Sequence, residues 1–220
     1  EYIFVGAYTF FGFWMGIGAA GLIVQAGRAT RSLAAVGLVA LITLSVPAGI
    51  LHNNYFHHDR TGDYVSHDYA YNILQTCAPD ALLFTNGDND TYPLWFLQYV
   101  KGVRTDVRVV NLSLIKTPWY IRQLRDLPPT VPINLSDDLL DRNFSAWPWQ
   151  ESGEIEIAGL TIKDKDIPKA EYFVGDTDRR VPVVETHTWV IWRIVQQTNW
   201  KRPIYFAVTV PQSNQAGLSP

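Results

Sequence analysis

No charged residue occurs between Tyr2 and Val24, and none between Leu33 and Leu51. The first run is roughly 23 residues, about 35 Å of helix, and the second, at roughly 19, is just long enough for the hydrocarbon core of a bilayer. A pair of buried helices in a large soluble core is the alternative, but runs this long without one charge favour two membrane helices. A second span follows the first, and no small-residue cleavage site separates them from the rest, so neither reads as a signal peptide. The loop between them, Gln25–Ser32, holds Arg28 and Arg31 and no acid. Positive charge in a short loop marks the cytoplasmic side. Everything after Leu51 is then expected outside, in the periplasm if the spans lie in a Gram-negative inner membrane. The chain opens on Glu1 within an apolar run and without an initiator Met, and it reads as a fragment of a longer protein.

Gly12, Gly16 and Ala20 form a small-residue stripe on the first span, which lets another helix approach closely. Gly16-Ile17-Gly18-Ala19-Ala20-Gly21 formally matches a dinucleotide fingerprint. It lies inside a spanning run rather than after a strand, with no acid at the required distance, so the match is rejected. Directly after the second span, His52–Arg60 carries His52, His57, His58 and Asp59. Adjacent histidines diverge in helix or strand, so an interfacial collar of polar and aromatic residues is expected rather than a metal site. Residues 52–220 have the mixed composition of a globular domain.

That domain is organised around Leu82–Ser113. Leu82–Thr85 is a short apolar strand, and Asn86-Gly87-Asp88-Asn89-Asp90 is turn chemistry. Asp90 or Thr91 can cap a following helix, with Pro93 in its first turn, and Gly102 can end it. Val107–Leu112 is a second apolar strand. Two strands separated by such a helix form a parallel βαβ unit, and ligands of parallel sheets sit beyond the carboxyl ends of the strands. The NGDND turn and the Asn111–Lys116 segment both fall at that edge.

Around this unit, Asp63–Cys77 reads as an amphipathic helix with Val65, Tyr69, Ile73 and Cys77 on its apolar face. Cys77, the single cysteine, is therefore core rather than nucleophile, and it rules out an internal disulfide. Thr117-Pro118-Trp119-Tyr120 opens a helix that runs to about Arg125. The Pro- and Trp-rich stretch Leu127–Gln150 reads as ordered loop over the sheet edge. Ile155–Ile162 alternates about Ala158-Gly159 as a hairpin, Thr186–Gln197 is a helix, and Pro203–Val208 is a third strand. The expected fold is two transmembrane α-helices followed by an α/β domain with a mainly parallel, Rossmann-like three-layer sheet and a small β-hairpin.

A net charge of −3 and no basic stripe argue against a nucleic-acid partner. Walker loop, nucleophile elbow, CxxC and HExxH are all missing from the sequence, and His187 reads as a core or surface residue rather than a base. No motif calls for a cofactor. Asp88-Asn89-Asp90 has the acid-x-acid form that can hold a divalent ion, yet carboxylates at a helix start are equally explained by capping and the macrodipole. Two carboxylates repel phosphate, so the turn suits sugar hydroxyls, an ammonium or a metal ion. Asn111, Ser113, Trp119 and Tyr120 add amide, hydroxyl and aromatic surfaces for a sugar ring. The ligand-binding candidates are thus Asn86, Asp88, Asn89, Asp90, Asn111, Ser113, Trp119 and Tyr120.

The segments Phe84–Gln98, Gly102–Leu114 and Thr117–Leu124, with His58-Asp59-Arg60 upstream and Asn199–Pro211 downstream, resemble a family of large bacterial polytopic membrane proteins of unknown function. That family is similar to the eukaryotic transmembrane O-mannosyltransferase and to the GT-C class of glycosyltransferases. The resemblance implies a protein with many membrane helices that moves a mannose-like sugar from a polyprenyl-phosphate donor to a protein acceptor outside the cytoplasm. Enzymes of that class carry their catalytic acid in the first extracytoplasmic loop. By the resemblance, then, this chain holds the last two helices and the domain behind them, and no catalytic residue. A non-catalytic, membrane-anchored binding or scaffold domain is the second reading, and a metal-dependent enzyme built on Asp88 and Asp90 the third.

Overall fold

The computed structural model describes residues 2–141, 146–149, 154–173 and 180–218. They fall into two compact units, Glu1–Asp63 and Tyr64–Pro220.

The first unit is a pair of helices, α1 (Tyr2–Thr30) and α2 (Leu33–His58), both long and apolar enough to cross a membrane. The turn between them places Arg31 at a φ of 51°, and the Ser32 side chain caps α2 by accepting from the Ala35 N–H. Both helices outrun the charge-free segments. His52–His58 forms the exposed last turns of α2, closed at Asp59. Gly12 and Gly16 have no heavy atom within 4 Å of where a Cβ would sit, so the small-residue stripe is not the seam against α2.

In the second unit the elements follow as α3 (Val65–Thr76), β1 (Leu82–Thr85), α4 (Asp88–Trp95), β2 (Arg108–Asn111), α5 (Pro118–Asp126) and α6 (Asp137–Asp141). Then come β3 (Ala146–Pro148), β4 (Glu154–Ile157), β5 (Leu160–Lys163), β6 (Ala170–Phe173), β7 (Arg180–Glu185), α7 (Thr186–Thr198) and β8 (Ile204–Phe206). A parallel sheet has the order β2-β1-β8, with Leu82 opposite both Arg108 and Ile204. All four residues of β1 and of β2 are buried, as a parallel sheet covered on both faces requires. Phe84 stacks on Phe206 within the sheet, and Leu74, Leu94, Leu97, Ile121, Leu124, Ile191 and Val195 join the same core. The β4–β5 hairpin turns at Ala158 and Gly159, whose φ values of 49° and 80° are the left-handed pair that a two-residue turn needs.

Three features were not anticipated. Leu127–Gln150 is not all loop: it buries Val131, Ile133 and Leu135, and it contains α6 and β3. Strands β3-β7-β6 form a second, antiparallel sheet. Finally, α4 continues as a π turn through Phe96–Val100 before Gly102, at a φ of 69°, ends it. Pro93 falls within α4 rather than in its first turn.

Cys77 is buried as expected, and burial pushes its thiol up. The segment from α3 to β1 is fastened from across the unit by Arg104. Its guanidinium donates to the carbonyls of Leu74 (2.8 Å), Cys77 (2.9 Å) and Ala78 (3.1 Å), and grips Asp106 with two bonds of 2.8 Å. Those hydrogen bonds hold the Asp106 carboxyl at about 2, against an ordinary 3.8. A folded pKa below the unfolded one means the contribution is complete above about pH 4 and is lost as pH falls towards 2. Denaturation of the detergent-solubilised chain should therefore show stability falling between pH 4 and 2, with a shallower fall in Asp106→Asn. Arg104→Ala, which strips the carbonyls at the end of α3, should cost about 2–3 kcal/mol at neutral pH.

Candidate functional site

In the order β2-β1-β8 the chain leaves β1 for a neighbour on one side and later returns to the other side. The carboxyl end of β1 is thus the topological switch point, where parallel sheets leave a crevice for ligands. Three loops meet there: Asn86–Gly87 after β1, Leu112–Lys116 after β2, and Ala207–Asn214 after β8.

Thr85, Thr91 and Asn111, all fully buried, tie the first two loops together. Thr91 Oγ1 donates to the Gly87 carbonyl at 2.7 Å and accepts from Asn111 Nδ2 at 2.8 Å. With that proton committed, Thr85 must be the donor in the 2.7 Å contact between the two threonine hydroxyls. Asn111 Oδ1 accepts from the backbone N–H groups of Ser113 (2.8 Å) and Leu114 (2.9 Å), shaping the loop after β2. The Asn111 N–H donates to the Tyr120 hydroxyl at 3.0 Å, and burial pushes that phenol up to about 12. Ser113, on the surface, donates its hydroxyl to the Asn86 carbonyl at 2.9 Å and closes the stitch.

The third loop is joined by two side chains. The Thr209 hydroxyl donates to Asp90 Oδ2, and Asn214 Nδ2 donates to Asn86 Oδ1 at 3.2 Å. Tyr69 of α3 lies close by; burial first, and then the Asp90 charge, push its phenol up.

The eight residues singled out in the sequence therefore divide into two groups. Asn111, Tyr120 and Asp90 are buried and bonded within the protein. Asp88, Asn89, Ser113 and Trp119 are exposed, and Asn86 is half-buried between them. Neither Asp90 nor Thr91 caps α4: the N-cap is Gly87, and Asp88 is the first residue of the helix. Trp119 is 54% exposed and begins a run of aromatic neighbours through Tyr120 and the half-buried Trp95 to exposed Tyr92. The edge thus presents an acidic turn beside exposed aromatic faces. Such surfaces suit a ligand with hydroxyls on one side and C–H groups on the other. No group of three or more His, Cys, Asp or Glu side chains among the described residues is placed to hold a metal ion.

One group of polar residues went unrecognised in the sequence. Lys116, at the end of the second loop, pairs with Glu185 at 2.6 Å, and Glu185 Oε2 lies 3.1 Å from His187 Nδ1. Lys116 holds the Glu185 carboxyl below its usual range, while burial holds the His187 imidazole below its own. The signal was the run Val183–Thr188, an apolar strand end passing into polar residues at a helix start, the same pattern that marked Phe84–Asp90.

The two aspartates should respond differently to truncation. Asp88→Ala should lose less than about 1 kcal/mol, the macrodipole contribution of an exposed first-turn acid. Asp90→Ala, which removes a buried carboxylate and the hydrogen bond it accepts from Thr209, should lose about 1–3 kcal/mol. Tryptophan-monitored denaturation of both variants in detergent checks the order.

Residues 66–143 match the family model described as TMEM260-associated domain 2. The chain is 28% identical over 114 residues to the Protein O-mannosyl-transferase TMEM260 of Mus musculus, an alignment that covers 51% of this chain and 16% of the relative. The chain therefore spans only a small part of that relative's length. No solved structure matches it. The family match contains β1, α4, β2 and α5, and with them the loops after β1 and β2, while the loop after β8 lies beyond it.

Proposed function

We propose that this chain is the C-terminal part of a membrane glycosyltransferase that moves a mannose-like sugar from a polyprenyl-phosphate donor to a protein. In this reading α1 and α2 are the last spans of a longer membrane domain in the inner membrane. Arg28 and Arg31 mark the cytoplasmic side, and the α/β domain stands in the periplasm. The domain's part is to bind the acceptor or its sugar at the carboxyl edge of β1, through Asn86, Asp88, Asn89, Ser113 and Trp119. Asp90, Asn111 and Tyr120 hold that surface in shape from behind. The chemical step belongs to residues outside this chain.

The single observation that carries the reading is the coincidence of place. The two loops of the switch-point edge that carry the acidic turn and lead to exposed Trp119 lie inside the region matched to the TMEM260-associated domain. One further observation favours a non-catalytic scaffold as the second reading. Asp90, the buried acid of the motif, is bonded to Thr209 rather than turned towards a ligand.

The test is sugar transfer from a polyprenyl-phosphate donor by the full-length protein in membranes, with Asp88→Asn alongside. Transfer should occur, and the variant should raise the KM for acceptor about three- to tenfold, with kcat little changed. A tenfold change corresponds to about 1.4 kcal/mol of binding. A collapse of kcat would place Asp88 in the chemistry instead. No transfer from any lipid-linked sugar would leave the scaffold.

A further inference from the structure

The helix that joins β1 to β2 is apolar on both of its sides. From Thr91 to Val100 it carries no charged residue. Leu94, Leu97 and Gln98 are buried on the inner side, whereas Tyr92, Phe96, Tyr99 and Val100 are between 47% and 68% exposed. The π turn through Phe96–Val100 sets both Tyr99 and Val100 outward. Behind them Gln98 Nε2 donates to the carbonyls of Arg104 (2.9 Å) and Val107 (2.7 Å). The outward face is thus held in place by the core rather than exposed by fraying.

Single exposed apolar side chains are ordinary, but a helix apolar all round is the pattern of one covered on both sides. Within the unit Tyr64–Pro220, no described residue covers this outer face.

Chemistry and connectivity identify what does. Two of the four outward residues are tyrosines, rings with a polar tip. At the far end Lys101 Nζ stands 5.7 Å from the centre of the Phe96 ring. The next acid along the chain is Asp106, which is already held by Arg104. Tyrosine beside apolar rings, with a lysine at the rim and no free acid, is the composition of the boundary between lipid headgroups and acyl chains. The chain itself leads there. Helix α2, apolar enough to cross a membrane, ends at His58, and α3 begins at Val65. The connection between them reaches about 25 Å at most when fully extended. Helix α3 then runs beside α4 in the same direction: Tyr69 lies by Asp90, and the Leu74 and Cys77 carbonyls accept from Arg104 just past the π turn. The outward face is therefore on the helix next to the one by which the chain enters the unit.

We propose that Tyr92, Phe96, Tyr99 and Val100 seat the outer face of α4 and its π turn in the headgroup–acyl boundary of the bilayer that α1 and α2 cross. The proposal rests on reading those two helices as spans, and not on the transferase.

The test places a nitroxide on the full chain in nanodiscs of phosphatidylcholine and phosphatidylglycerol. Tyr99→Cys, Val100→Cys, Leu44→Cys and Lys201→Cys carry the label in turn, with buried Cys77 left as it is. Collisions with apolar oxygen and with a water-soluble nickel chelate report the phase that each position faces. Leu44, midway along α2, and both positions on the π turn should favour oxygen, whereas exposed Lys201, in the turn before β8, should favour nickel. Tyr99→Glu, added to the Val100→Cys chain, should shift the Val100 label towards nickel by several-fold. Nickel favoured at Tyr99 and Val100, with Leu44 in oxygen, would overturn the proposal and leave the spans standing. Protection of both positions from both reagents would mean that a protein surface covers the face, and would overturn it too. Nickel favoured at Leu44 would remove the spans themselves.

Discussion

Wherever a parallel sheet ends, its strands release loops whose backbone groups must find partners without the help of the ladder. Here the loops after β1 and β2 are joined through the side chains of Thr91 and Asn111, neither of which reaches solvent. Thr91 uses its single proton on Gly87 and accepts from both Thr85 and Asn111, and Asn111 in turn supplies the acceptor for two successive backbone amides. In a buried setting such bonds reinforce one another, and a missing member leaves the others unsatisfied. The geometry of the edge, and with it the position of Asp88, Asn89 and Trp119, depends on this one network.

The network also explains why polar residues of similar character have different roles along a five-residue turn. Asn86 is half-buried because Ser113 and Asn214 hold it from two sides, whereas Asp88 and Asn89 extend into solvent at the start of α4. Asp90 is turned inward to Thr209, so the third loop is fixed to the helix that the first loop begins. The acidic turn is therefore half fastening and half surface. That division lets it face a ligand without losing its shape.

Much of the parallel core was legible because its signals are local. Leu82–Thr85 is short and apolar, Asn86-Gly87-Asp88 breaks the chain, Gly102 stops the helix, and Val107–Leu112 resumes the apolar run. The charge-free runs announced α1 and α2 in the same way. What escaped notice depends on contacts between distant residues. Nothing near Arg108 in the chain shows that a cation in a buried strand donates its two terminal nitrogens to the carbonyls of Gln123 and Pro128. Strands β6 and β7 carry charges and a proline and become a sheet only by pairing with each other and with β3. Asn111 and Tyr120 looked like ligand groups because amides and phenols serve both purposes; only the fold turns them inward. His187 was legible as a residue, but not its neighbours Lys169 and Asn214, which arrive from separate loops.

The most direct measurement is amide hydrogen exchange on the full chain in nanodiscs, read at Ser113 and Leu114, whose N–H groups donate to Asn111 Oδ1. If the network fastens the edge, both amides exchange only as slowly as those of β1, and Asn111→Ala releases them while β1 stays protected. Exchange at the rate of an open surface loop in the unaltered protein would contradict it, because the switch-point edge would then have no fixed shape to offer a ligand.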